Sequence, residues 1–193
     1  MAKPTELLKT GDALLIIDVQ IDFCPGGSLP IEEGDQIVPV LNEWIEAARV
    51  KEIPVYASRD WHPHKHPSFK ENGGLWPVHC LQDSLGAGFH PDLNLPEGTV
   101  LISKGVRFEQ DQNSAFDQTG LVVHFRKAGI RRLYVGGLAE DVCVLATVLD
   151  ACHEGFETVL IRDATRAITQ EGGRAAREAM RAAGARFIST EQE

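Results

Sequence analysis

Several protein classes are excluded by what this chain lacks. It contains no run of about 18 apolar residues, so no membrane-crossing helix is expected. The opening segment, Met1–Thr10, has no basic stretch followed by an apolar one and does not read as a secretory signal. Cysteine is sparse. Cys24, Cys80, Cys143 and Cys152 lie far apart and form no CxxC pair, which favours free thiols over a disulfide framework and makes the cytoplasm the expected compartment. Basic residues are outnumbered, 19 Lys and Arg against 28 Asp and Glu, for a net charge of -9. A phosphate backbone needs a concentrated basic face, so no nucleic-acid partner is expected, and an acidic chain has no attraction to anionic membranes. Internal repeats, low-complexity tracts and linkers are also missing. Residues 1–193 are therefore expected to form one domain with a short N-terminal tail over 1–11.

What is present is an alternation of short β-rich runs with longer helical ones, the pattern of an α/β sheet. Ala13–Asp18 is almost continuously apolar, as a central parallel strand buried on both faces should be. Ile37–Val50 carries Ile37, Val40, Leu41, Trp44, Ile45 and Ala48 at helical spacing. Further strands are expected at Val55–Ser58, Val100–Ser103, Leu133–Gly137, Thr158–Ile161 and Arg186–Ser189. Helices are expected at about Ser114–Ala128, Val142–Glu154 and Gly173–Ala183. The stretch Asp60–Gly98, rich in His, Pro and Gly, breaks this rhythm. Long irregular loops inside compact domains are more often functional than decorative.

Sites in open α/β sheets form beyond the carboxyl ends of the strands. Those ends carry Asp18, Asp60, Lys104 and the Gly136–Cys143 segment. Taken singly, each residue has an ordinary use: an aspartate caps a turn, a lysine is solvated, and a free cysteine packs as a small hydrophobe. Together on one edge they make a constellation. Cys143 falls in the first turn of an expected helix, where unpaired N–H groups should lower its pKa and can bind a developing oxyanion. Cys152 is the better candidate for the packing role, and Cys24 and Cys80 lie near the expected site without an evident partner.

The loop supplies a second cluster. Residues two apart in an extended segment point the same way, so Asp60 and His62 can share one ion, with His79 arriving from across the loop. Histidines in a surface loop are ordinarily solvated, but this cluster is denser than that. Mixed carboxylate and imidazole ligands suit one divalent metal, zinc first, with iron or manganese as alternatives.

Placed together, the segments Asp18-Val-Gln-Ile-Asp-Phe-Cys-Pro-Gly-Gly-Ser-Leu, Arg59-Asp-Trp-His-Pro, Leu75-Trp-Pro-Val-His-Cys, Lys104-Gly, Gly136-Gly-Leu-Ala-Glu-Asp-Val-Cys-Val and Arg162-Asp-Ala-Thr-Arg resemble the nicotinamidase/pyrazinamidase branch of the isochorismatase-like cysteine hydrolases. The resemblance runs from about Ala13 to Ile188. It implies a three-layer α/β/α fold with a six-stranded parallel sheet in the order 3-2-1-4-5-6. It implies Asp18 as general base and acid, Lys104 as charge support, Cys143 as nucleophile, and the Ala139 and Cys143 amides as oxyanion donors. Asp60, His62 and His79 match metal ligands, and His66 falls where some members place a further one. Phe23 and Trp76 match residues that sandwich the substrate ring, while Trp44 and Trp61 are expected in the core. The Leu138–Ala139 peptide is expected to be cis. Many relatives carry Thr or another small residue where Glu140 stands, and Glu140 is expected to point to solvent, away from the thiol.

The reaction so implied is hydrolysis of nicotinamide, and of pyrazinamide as well, to the acid and ammonia. The alternatives are a cysteine amidase acting on an N-carbamoyl or ureido compound and a non-catalytic metal-binding scaffold. A homo-oligomer is compatible with the apolar helix faces.

Overall fold

The computed structural model describes residues 3–189. Its centre is one parallel sheet of β1 (Asp12–Ile17), β2 (Val55–Asp60), β3 (Val100–Lys104), β4 (Arg132–Leu138), β5 (Glu157–Arg166) and β6 (Arg186–Ile188), in the order β3-β2-β1-β4-β5-β6. This is the order the resemblance implied. The helices are α1 (Pro4–Leu7), α2 (Ile37–Val50), α3 (Leu121–Lys127), α4 (Leu145–His153) and α5 (Gln170–Ala182).

β1 explains the layering. All six of its residues are buried, because alternate side chains enter separate cores on the two faces of the sheet. Leu14 and Ile16 pack with Leu41, Trp44 and Ile45 of α2. Ala13, Leu15 and Ile17 pack on the other side with Phe125 of α3, Val148 of α4 and Met180 of α5.

Three expectations need correction. The segment 1–11 is not simply a tail: Met1 and Ala2 lie outside the described residues, but Pro4–Leu7 is helical, Leu8 is buried, and Leu7 O accepts from Tyr134 Oη. The helix expected over Ser114–Ala128 begins only at Leu121. Gln118 and Gly120 have left-handed backbones (φ 54° and 77°), which an α-helix does not accommodate. The helix carrying Cys143 starts earlier than Val142, with a π-helical turn over Glu140–Val144 that leads directly into α4.

Candidate active site

Four adjacent strands deliver the polar cluster. Asp18 follows β1, Asp60 closes β2, Lys104 closes β3 and Ala139 follows β4. Asp60 and Lys104 are register partners in the β2–β3 ladder, so their side chains leave the sheet side by side. Lys104 Nζ lies 2.7 Å from Asp18 Oδ2, 2.7 Å from Asp60 Oδ1 and 3.4 Å from Cys143 Sγ. The Asp60 contact is a hydrogen bond. The Asp18 contact is an ion pair, and Asp18 Oδ1 also accepts from Ser58 Oγ at 2.7 Å. Both carboxylate oxygens of Asp18 are thereby held, and one of them lies within 4.8 Å of the Cys143 sulfur.

Burial of three ionisable groups side by side needs mutual compensation. Burial works against the Lys104 ammonium, yet Asp18 and Asp60 carry its pKa well above the ordinary lysine value. Burial likewise opposes the Asp60 carboxylate, and Lys104 and His62 hold it well below the usual range. Asp18 goes the other way, since burial outweighs Lys104 and raises its pKa. Cys143 is also raised, by burial first, against the pull of Lys104. The sequence expectation of a lowered thiol pKa is therefore corrected. The sulfur is too deeply desolvated for the helix terminus to win.

The loop behaves as a ligand cradle. Asp60, His62 and His79 are buried, each offers one ligand atom, and these atoms lie within 4.8 Å of one another. His62 Nδ1 donates to Gly105 O at 2.8 Å and His79 Nδ1 donates to Pro77 O at 2.7 Å. A carbonyl can only accept, so both rings carry hydrogen on Nδ1 and keep the Nε2 lone pair for an ion, the usual support of metal-bound imidazole. Gly105 permits this approach. Its φ is 64° and a Cβ there would stand 2.3 Å from His62 Cε1. The donor set fits a divalent metal.

His66 is buried, stacks on His62 with centroids 3.9 Å apart and bonds Ser68 Oγ through Nδ1 at 2.7 Å, while Nε2 makes no hydrogen bond. It stands outside the three-residue set. His64 is exposed.

A cleft of about 510 Å³, its open mouth included, joins the two clusters. Its lining includes Cys143 and Ala139, the ligand candidates Asp60, His62 and His79, and the aromatic rings of Phe23 and Trp76. Asp18 and Lys104 do not line it. They sit behind Cys143, so Lys104 faces the sulfur. The Leu138–Ala139 peptide is cis. Trp44 is fully buried in the core, whereas Trp61 is half-buried beneath Arg59, whose Cζ is 3.9 Å from the ring centroid.

A family model described as the isochorismatase domain matches residues 12–192. The chain belongs to the isochorismatase family. Within that family it is similar to a nicotinamidase of Acinetobacter baylyi, 35% identical over 201 residues covering 92% of each chain. Among solved structures it is similar to a pyrazinamidase of Pyrococcus horikoshii in complex with zinc, with a TM-score of 0.90 and 43% identity over 93% of this chain and 99% of that one. It is also similar to PnC1 from L. infantum in complex with nicotinate, with a TM-score of 0.87 and 37% identity over 94% and 93% of the two chains.

This member of the isochorismatase family departs from a further sequence expectation. Glu140 does not point to solvent. Only 2% exposed, it bonds Thr165 Oγ1 and pairs with Arg177. Sequence reasoning also missed supporting residues. Gln20 clamps the Asp60 backbone in both directions, donating to its carbonyl at 2.8 Å and accepting from its amide at 2.7 Å. Asp22 accepts from the Cys80 amide at 2.7 Å and so ties the His79–Cys80 part of the loop to the Asp18 segment. Both belong to the Asp-x-Gln-x-Asp segment, which was the available signal. Asp111 and Asn113 reach the cleft from a stretch of polar residues that carries none.

Proposed function

We propose that this chain hydrolyses nicotinamide to nicotinate and ammonia through a Cys143 thioester, and that pyrazinamide is accepted in the same cleft. The observation that carries this reading is the placing of Cys143 Sγ, backed by Lys104 at 3.4 Å, in a cleft walled by Phe23 and Trp76 and edged by Asp60, His62 and His79.

Asp18 Oδ2 takes the proton of Cys143, and the thiolate attacks the carboxamide carbon. Lys104 stabilises the sulfur charge, which leaves the oxyanion to the Ala139 and Cys143 amides; removing one such donor typically costs about 3 kcal/mol. Asp18 returns its proton to the nitrogen as the C–N bond breaks and ammonia leaves. Asp18 then deprotonates a water that attacks the thioester, and the C–S bond breaks to give the acid and the thiol. Phe23 and Trp76 hold the aromatic ring between them. Asp60, His62 and His79 would hold one divalent metal, zinc by the donor set. When bound, the ion supplies an electrophilic anchor for a ring nitrogen. That anchor favours a pyridine or pyrazine amide over an acyclic ureido compound.

The test is ammonia release from nicotinamide with and without chelator, alongside Cys143→Ala. Turnover should fall to background in the variant while nicotinate still binds. Activity retained by Cys143→Ala would sink the thioester mechanism.

A further inference from the structure

The residue that begins the nucleophile's turn has a second set of partners outside the cleft. Glu140 is the one buried glutamate among the described residues. A buried carboxylate persists only when paired and hydrogen-bonded. Here Oε2 accepts from Thr165 Oγ1 and Oε1 pairs with Arg177. Thr165 belongs to β5, where it is the register partner of Gly137 in β4. Arg177 belongs to α5. Gly173 leaves the slot for the pair: a Cβ there would stand 3.1 Å from Glu140 Oε1, 3.1 Å from Arg177 Nη1 and 2.8 Å from Ala167 Cβ.

The turn itself is drawn tight around Ala139, whose carbonyl accepts from the Val142 and Val144 amides at 3.1 Å each. The next side chain, Asp141, accepts from Ile168 N at 2.9 Å. Two consecutive carboxylates thus fasten the turn to β5, to α5 and to the segment between them. Glu140 is not among the residues that line the cleft, but with Thr165, Gly173 and Arg177 it lines a separate surface concavity. It cannot touch substrate. It can act only through the turn, whose two proposed oxyanion donors, Ala139 and Cys143, bracket it in sequence.

We infer that Glu140 is a positioning residue whose carboxylate, clamped between Thr165 and Arg177, holds the Ala139–Cys143 turn in the geometry that binds the oxyanion. The inference rests on the cysteine-amidase reading above. Arg177 has a second duty in it, since it cancels a negative charge that would otherwise oppose the Cys143 thiolate. Removing Arg177 alone should therefore harm the enzyme more than removing both partners.

The experiment compares wild type with Glu140→Ala, Glu140→Gln, Arg177→Met and the double variant Glu140→Ala/Arg177→Met. Each is measured for kcat and KM on nicotinamide, for nicotinate affinity and for inhibition by pyridine-3-carbaldehyde. The aldehyde adds the Cys143 thiol across its C=O bond, the sulfur joining the carbon and the proton passing to oxygen, so its oxygen occupies the oxyanion position. Glu140→Ala should lose roughly 10- to 100-fold in kcat, less than outright removal of an oxyanion donor. Aldehyde affinity should fall by the same factor, with KM and nicotinate affinity within about two-fold of wild type, because only transition-state contacts are affected. Glu140→Gln keeps an acceptor for Thr165 and should recover most of the loss, and it remains informative if the alanine variant fails to fold. Arg177→Met should fall below the double variant.

Unchanged kcat and aldehyde affinity in both Glu140 variants, with only thermal stability reduced, would overturn the inference. So would equal loss of nicotinate and aldehyde affinity, which marks a collapsed cleft. Wild-type protein that releases no ammonia from nicotinamide would count against the amidase reading. The aldehyde comparison would still judge the clamp, because thiohemiacetal formation needs only the thiol and the turn.

Discussion

Lys104 Nζ lies 3.4 Å from Cys143 Sγ, with both side chains buried and with Asp18 and Asp60 each 2.7 Å from the same ammonium. One cation therefore contacts the proposed nucleophile, its proposed base and a candidate metal ligand. Lys104→Ala would leave two buried carboxylates facing each other. Breaking a buried pair from one side typically costs about 3–5 kcal/mol, so a marked fall in melting temperature is expected together with loss of ammonia release. Lys104→Arg should not rescue either, because a planar guanidinium cannot replace a compact ammonium in a closed space.

Gly105 holds His62 by its lack of a side chain. Gly105→Ala places a methyl group against His62 Cε1 at a backbone angle that disfavours alanine. Metal affinity should drop roughly 10- to 100-fold, the usual cost of disturbing the support of a ligand. Metal content by elemental analysis, set against free metal concentration, checks this. Undiminished affinity would mean that His62 is not a ligand.

Trp76 and Phe23 should separate binding from folding. Trp76 is half-buried, so Trp76→Ala should raise KM about tenfold, a loss near 1.4 kcal/mol, with little change in melting temperature. Phe23 is 7% exposed and packs in the core as well. Phe23→Ala should raise KM and also destabilise the fold by about 3–5 kcal/mol. Steady-state kinetics and denaturant unfolding on the same preparations distinguish the two.

Cys24 offers a pH test away from the candidate metal ligands. Burial, aided by Asp35, pushes its pKa up from 9.0 to about 11. The folded chain holds this proton more tightly than the unfolded chain does. Its contribution to stability is therefore complete below pH 9 and lost as pH rises through 11. Cys24→Ala should flatten the stability curve across that window in chemical denaturation. Cys80, raised further by burial, should continue the decline above it.

Much of the fold was legible along the chain because strand burial and helix periodicity are local. The apolar run at β1 and the helix Ile37–Val50 needed no tertiary information. The shortened α3 was harder to read, since left-handed backbone at Gln118 depends on loop packing rather than on residue type. The site was legible where it coincides with strand ends, at Asp18, Asp60 and Lys104. The supports Ser58 and Gln20 were not, because an isolated Ser or Gln in a strand or turn has no spacing that points to a distant carboxylate or backbone.

The order of residues set which groups are available: a thiol, a carboxylate, an amine and a loop of carboxylate and imidazole side chains, all at one edge of a parallel sheet. Only the tertiary structure decided their states and directions. Deep burial raises the Cys143 thiol instead of lowering it, Lys104 faces sulfur rather than the cleft, and Glu140 turns inward to Arg177. Desolvation and pairing depend on what surrounds a charge in three dimensions, and those neighbours come from strands and helices far apart in the chain.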